Sequence, residues 1–178
     1  MRMPGNMTLT EVFSEELVQT RVKAIAEEIN RQYVGKQLVV ICVLKGAVMF
    51  FVDLLKHITV GVEIDFVRVA SYGTGMESSR AINITKDVEL PIRDKHVLLV
   101  EDVIDTGHTM DFLMSLFASR GAASVRLAVL IDKMERREVP VWADFVGFEL
   151  KEGFIVGYGL DFAEQYRELP AIYVMSSS

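Results

Sequence analysis

Glu101 and Asp102 stand side by side, and Asp105-Thr106-Gly107-His108-Thr109 follows after two apolar residues. The acids come at the end of Val97–Val100, an apolar, β-branched run of the kind that forms a buried strand. The turn residues come directly before Met110–Phe117, which has helical apolar spacing. The reading is strand, loop, helix. In a parallel α/β sheet, ligands sit outside the carboxyl ends of the strands. Adjacent carboxylates there suit a hard cation that keeps its waters, or sugar hydroxyls in need of acceptors. The turn would turn backbone N–H groups and hydroxyls toward one spot. Gly107 would allow close approach, and the helix start behind it favours an anion. A phosphate in that cradle, with a sugar leaning on the acids, is a phosphoribosyl group. The plainer alternative is a helix cap with surface acids, since Asp and Thr are ordinary N-caps. It leaves the two acids before the cap without an explanation.

A chain of 178 residues, 51% hydrophobic, is one domain with a sizeable core, and its composition excludes disorder. A net charge of −6 with no basic run argues against non-specific nucleic-acid binding. It leaves room for a small anionic substrate, because local N–H groups and Mg²⁺ can reverse the field inside a pocket. The single cysteine, Cys42, lies in an apolar run. It reads as a core residue in a chain without a disulfide framework, which fits a reducing cytoplasm. No stretch resembles a signal peptide or a membrane span, and Val39–Val43 is far too short for one. Met1, Met3 and Met7 are all open as start positions.

The elements that must position these residues follow from periodicity. Met1–Thr10 reads as frayed. After a Ser14 cap, Leu17, Val18, Val22, Ile25, Ile29 and Tyr33 recur at helical spacing. Leu38–Leu44 is a fully buried strand, Lys45-Gly46 ends it, and Ala47–Leu55 is a helix. Val62–Tyr72 is a long strand. The Gly- and Ser-rich segment from Ser71 to Arg80 is either a plain hairpin loop or a lid, and Ala81–Ile84 follows it. Met110–Arg120 is a helix that Gly121 ends. Val125–Ile131 is a buried strand, with Asp132-Lys133 at its carboxyl end on the side of Glu101 and Asp102. Met134–Glu138 is a charged loop. Val141–Phe148 is a strand, Phe154–Asp161 a strand entering a glycine-rich turn, and Ile172–Met175 a last short strand. Strands alternating with helices imply an α/β parallel sheet, and the short late strands imply a small cap.

The run from Val97 to Thr109 resembles the phosphoribosyl-pyrophosphate motif of the type I phosphoribosyltransferases. Its form, Glu-Asp followed by Asp-Thr-Gly, resembles their hypoxanthine-guanine branch. The resemblance extends from Leu44 to Arg167 and is sharpest at Glu101–Thr109 and Phe154–Asp161. It implies a type I phosphoribosyltransferase fold: a central parallel sheet with helices on both faces, in a single domain. The core would span about residues 14–150 and a hood about 1–13 and 151–178. The implied activity is purine salvage. With Mg²⁺, the 5-phosphoribosyl group passes from phosphoribosyl pyrophosphate to N9 of hypoxanthine or guanine, giving IMP or GMP and pyrophosphate.

The resemblance also implies roles for residues. Glu101 and Asp102 would accept from the ribose hydroxyls, and with Asp161 they would hold Mg²⁺. Asp105 would be the general base or acid facing N7 of the purine. Thr106, Gly107, His108 and Thr109 would hold the 5′-phosphate, His108 through its backbone N–H. Lys133 would donate to the purine 6-oxo group, Phe154 would stack on the base, and the main chain at Ile155 would read the purine 2-position. Lys45 and Gly46, after a cis Leu44–Lys45 bond, would contact pyrophosphate together with Arg167 and Arg137. Ser71 and Tyr72 would belong to a lid. A Lys donor explains a preference for 6-oxopurines over adenine, whose amino group would face a cation. A xanthine-preferring enzyme and a regulator keeping the fold are the alternatives; the acidic charge and lack of a spare domain weigh against the regulator. No Gly-x-x-x-x-Gly-Lys or Gly-x-Gly-x-x-Gly run supports another nucleotide fold. The resemblance further implies a cytoplasmic homodimer or homotetramer with small-molecule substrates.

Overall fold

A computed structural model of the chain describes residues 7–71 and 82–177. Along them run β1 (Met7–Phe13), α1 (Glu15–Gln32), β2 (Leu38–Val43), α2 (Val48–His57), β3 (Val62–Ser71) and β4 (Ile82–Lys86). Then come β5 (His96–Ile104), α3 (His108–Ser119), β6 (Ser124–Lys133), β7 (Phe145–Leu150), β8 (Phe154–Val156) and β9 (Ile172–Ser177). One sheet has the order β4-β3-β2-β5-β6-β7. Its strands are parallel except β4, which runs antiparallel along the edge of β3. A second, antiparallel sheet has the order β1-β9-β8.

The central strand explains the layers. Every residue of β2 is buried, as expected for a parallel strand covered on both faces. Leu38, Val40 and Cys42 pack with Val22, Ile25 and Ile29 of α1 and Phe50 and Leu54 of α2. Val39, Ile41 and Val43 pack with Met110, Leu113 and Phe117 of α3. Helices therefore cover both faces, and β5, between β2 and β6, is fixed from all sides. Burial pushes the Cys42 thiol up to about 12, in keeping with an inert core residue.

Local signals account for the element ends. The Ser14 hydroxyl accepts the Leu17 N–H at 3.3 Å and starts α1. Leu17 itself is exposed, and Ala26 completes the buried stripe instead. Gly121 follows the last turn of α3 at φ 85°, the left-handed C′ position.

Three expectations need correction. Residues 7–10 are not frayed: they form the first part of β1, paired from Met7↔Ser177 to Phe13↔Ile172. The strand expected from Val141 begins at Phe145. Val141 is buried, but its carbonyl accepts from Arg137 rather than from a neighbouring strand. The Asp144 carboxylate accepts the Leu127 N–H at 2.9 Å, just before pairing begins. The third concerns β5, which does not stop before the acids but runs through them to Ile104.

Candidate active site

Strand order brings distant residues to one edge of the sheet. β2 ends before Leu44-Lys45-Gly46, β5 ends before Asp105, and β6 ends at Lys133. These strands are neighbours and run the same way.

After β5 the chain turns through Asp105-Thr106-Gly107 into α3. Gly107 is the N-cap, at φ 91°, and no side chain caps the helix. A Cβ there would lie 2.8 Å from Val139 Cγ2, so a side chain is disfavoured by both conformation and space. The capping role considered for Asp and Thr is therefore not the one they fill. Residues 101–107, Thr109 and Met110 line a cleft of about 190 Å³ at this uncapped helix start. Oriented backbone donors at such a position favour an anion. The turn is braced from outside: the Thr106 carbonyl accepts the N–H groups of Glu138 (2.9 Å) and Val139 (3.3 Å). The His108 ring points its Nε2 at Glu138 Oε2, 2.9 Å away, and does not line the cleft.

Glu101 is buried, and its Oε1 accepts the Asp102 N–H at 3.0 Å. Burial, and then the neighbouring Asp102 carboxylate, push its carboxyl well above the usual range. Asp102 lies against Gly46: a Cβ on Gly46 would sit 1.6 Å from Asp102 Oδ2. Gly159 packs on the same residue, where a Cβ would be 2.0 Å from the Gly46 carbonyl oxygen. Gly159 is at φ 99°, which also favours glycine. The Leu44–Lys45 peptide is cis.

A second cleft, of about 250 Å³, is lined by Lys133, Arg136, Phe154, Ile155, Leu160 and Asp161, with Asp102, Val103 and Asp105 shared with the first. Lys133 donates to the Gly153 carbonyl at 2.9 Å. Phe154 is 51% exposed, and its ring stands perpendicular to that of Phe162, 5.6 Å away between centroids. Ile155 is buried behind it. Asp105 Oδ2 pairs with Arg136 Nη1 at 3.0 Å. Its Oδ1 is buried with no hydrogen-bond partner, a costly arrangement that a ligand donor would relieve.

Beyond this cleft lies a charge network. Lys45 Nζ is 2.9 Å from Glu164 Oε2, and Arg167 Nη2 is 2.8 Å from Asp161 Oδ1. Arg167 Nη1 donates to the Gly159 carbonyl at 2.7 Å.

Residues expected in two further roles have other partners here. Arg137 is buried, pairing with Asp132 and donating to the Asp105 carbonyl at 3.1 Å and to the Val141 carbonyl. It braces the turn from beneath, while its neighbour Arg136 lines the cleft. Glu101, Asp102 and Asp161 do not form a three-carboxylate cage. Among the described residues no group of three or more His, Cys, Asp or Glu is placed to hold a metal ion. Asp161 is engaged by Arg167 and by the Glu164 N–H at 2.9 Å. Ser71 ends β3, and Tyr72 and the rest of the expected lid lie outside the described residues.

Sequence reasoning passed over Arg136, Gly159 and Tyr158. The Tyr158 hydroxyl donates to Asp53 Oδ2 at 2.7 Å and ties the glycine turn to α2. The doublet Arg136-Arg137 and the Gly-Tyr-Gly run were the available signals.

Comparison with known proteins agrees with this geometry. Residues 9–163 match the family described as phosphoribosyl transferase domain. The chain is 44% identical over 164 residues to a hypoxanthine-guanine phosphoribosyltransferase of Streptococcus thermophilus, covering 92% of this chain and 91% of that protein. A crystal structure of a Bacillus anthracis hypoxanthine-guanine phosphoribosyltransferase superposes with a TM-score of 0.88 at 40% identity, over 96% of this chain and 100% of that one. A Trypanosoma cruzi hypoxanthine phosphoribosyl transferase, studied for the role of its C-terminal region in oligomeric state and activity, gives 0.90 at 37% identity, over 98% and 95%. With its parallel sheet, its uncapped Asp-Thr-Gly turn and relatives of this closeness along nearly its whole length, the chain belongs to the phosphoribosyltransferase family, in the hypoxanthine-guanine branch.

Proposed function

We propose that the chain catalyses transfer of the 5-phosphoribosyl group from phosphoribosyl pyrophosphate to N9 of hypoxanthine or guanine, releasing pyrophosphate. The observation that carries this reading is the wall shared by the two clefts. Asp102, Val103 and Asp105 line both, so a sugar lying along them has its phosphate in the turn and its base carbon facing the second cleft. A xanthine-preferring enzyme or a regulator is not favoured, since close relatives carry the hypoxanthine-guanine name.

The roles follow from position. Residues 105–109 bind the 5′-phosphate through backbone donors and hydroxyls. Glu101 and Asp102 accept from the ribose hydroxyls and place negative charge near a ring that becomes positive as the bond to pyrophosphate breaks. Lys133 donates to the 6-oxo group, Phe154 stacks on the base, and the Ile155 backbone reads its far edge. Asp105, with one buried oxygen lacking a partner, exchanges a proton with N7 of the purine. Lys45, Gly46 and Arg167 hold the pyrophosphate end. Arg137 supports the turn.

Mg²⁺ fits the donors in an open form only. It binds readily through one or two carboxylates while keeping waters and substrate oxygens, and Glu101 and Asp102 supply such a pair. Glu101, Asp102 and Asp161 are the residues that would hold it. When bound, the ion neutralises charge on the departing pyrophosphate.

No helix among the described residues is long and apolar enough to cross a membrane. We place the protein in the cytoplasm as a homodimer or homotetramer, to be checked by fractionation and light scattering. Initial rates with hypoxanthine, guanine, xanthine and adenine, each with and without Mg²⁺, test the activity. Turnover of the first two, dependent on the metal, is expected. Preference for adenine, or no nucleotide product, would overturn the reading.

A further inference from the structure

Both cations at the pyrophosphate end lean on one carboxylate oxygen. Glu164 Oε2 lies 2.9 Å from Lys45 Nζ and 3.4 Å from Arg167 Nη2. Lys45 belongs to the loop after β2, Arg167 to the segment after β8. The contact is not needed to hold the Glu164 turn or Arg167 in place. The Glu164 side chain is 64% exposed. Its turn is fixed by its own backbone: Phe162 and Gln165 exchange N–H···O bonds, and the Glu164 N–H goes to Asp161. Arg167 is held independently by the Gly159 carbonyl and by Asp161. Lys45 first, and Arg167 next, keep the Glu164 carboxyl below the usual carboxylate range, so it is charged at neutral pH.

We propose that Glu164 is a tethered stand-in for pyrophosphate, which phosphoribosyl pyrophosphate must displace to bind and which returns to the cations as pyrophosphate leaves. The proposal rests on Lys45 and Arg167 being pyrophosphate contacts, as read above. Its logic is exchange. An anionic product held by several cations and a metal leaves slowly, and product release limits many enzymes. A carboxylate competing for the same cations turns binding into replacement and lowers the affinity of both the cosubstrate and the product. Exposed ion pairs are individually weak, so the effect amounts to about two- to tenfold in affinity.

The test is the dissociation constant of inorganic pyrophosphate with Mg²⁺, measured by titration calorimetry on the full chain and on Glu164→Gln and Glu164→Ala. Both variants are expected to bind about two- to tenfold more tightly than wild type. The gain should shrink when Lys45 is also changed to Ala. A residue that merely shaped the turn would give the opposite sign, a loss. Unchanged or weaker binding in both variants overturns the proposal. Wild-type turnover of hypoxanthine, followed in parallel, keeps the two levels apart. Turnover with unaltered pyrophosphate affinity in the variants defeats this inference alone; absent turnover defeats the functional reading beneath it and this inference with it.

Discussion

Replacing Gly46 by alanine would separate the site from the fold. The added Cβ would sit 1.6 Å from Asp102 Oδ2 and 2.5 Å from Asp102 Cγ. Such contacts relax to about 3.5 Å, so roughly 1.5–2 Å of movement is required. Gly159 also packs closely on the Gly46 carbonyl, which leaves the Gly46 backbone little room to shift. The Asp102 carboxylate must swing instead. Overpacking of this size costs about 1–3 kcal/mol, which a domain holding about 5–15 kcal/mol survives. A misplacement of about 1 Å in a reacting constellation costs on the order of 10²-fold in rate. We therefore expect Gly46→Ala to remain folded while kcat/KM for phosphoribosyl pyrophosphate falls about a hundredfold or more. Steady-state kinetics beside thermal melts by circular dichroism measure both. Gly61→Ala is the control, since a Cβ there meets nothing within 4 Å. A Gly46→Ala enzyme within ~threefold of wild-type kcat/KM would show that Asp102 is not held where the reaction needs it.

Asp105→Asn should bind phosphoribosyl pyrophosphate with little change and lose turnover on the order of 10²–10⁴-fold; full turnover would remove Asp105 from the mechanism. Lys133→Ala should raise KM for the purine about 10- to 100-fold while leaving the cosubstrate KM nearly constant, as loss of a charged donor predicts; equal losses in both would count against its role. Asp65 is buried and accepts N–H bonds from Phe66 (2.7 Å), Glu89 (2.7 Å) and Leu90 (2.8 Å). Burial acts to raise its pKa, but these bonds and Lys86 outweigh it and hold the carboxyl below its ordinary 3.8. Its ionic stabilisation is thus present above that value and lost as pH falls through the lower folded one. Asp65→Asn should cost about 1–3 kcal/mol in urea denaturation at pH 7, and the gap should narrow as the pH falls below the ordinary carboxylate value of 3.8. A gap independent of pH would contradict the account.

The parts of the molecule legible in the sequence are those set by neighbours in the chain. The strand–turn–helix around Glu101–Thr109 needs only an apolar run, a glycine with positive φ and a periodic segment, all contiguous. Periodicity likewise found α1 and β2, whose burial follows from residue type. What depended on partners far along the chain was harder to see. Residues 7–10 look frayed alone, because their alternating pattern has meaning only beside β9. Arg136 and Arg137 are adjacent and identical in type, so nothing local says which enters the cleft; the Asp132 carboxylate beneath decides it. Val141 is apolar and buried like a strand residue, yet its backbone bonds go elsewhere. The clamp on Gly46 joins two loops whose only sequence sign is a glycine in each.

β1 and β9 pair across nearly the full length of the chain, and β8 reaches its place only through β9. Contacts so far apart carry a large loop-closure penalty and form late. During synthesis, the phosphate-binding turn can be made from chain already extruded, whereas the surface that receives the base waits for β9 to emerge. A polypeptide extended only as far as β8 would thus hold a cradle for the sugar phosphate and no seat for the purine.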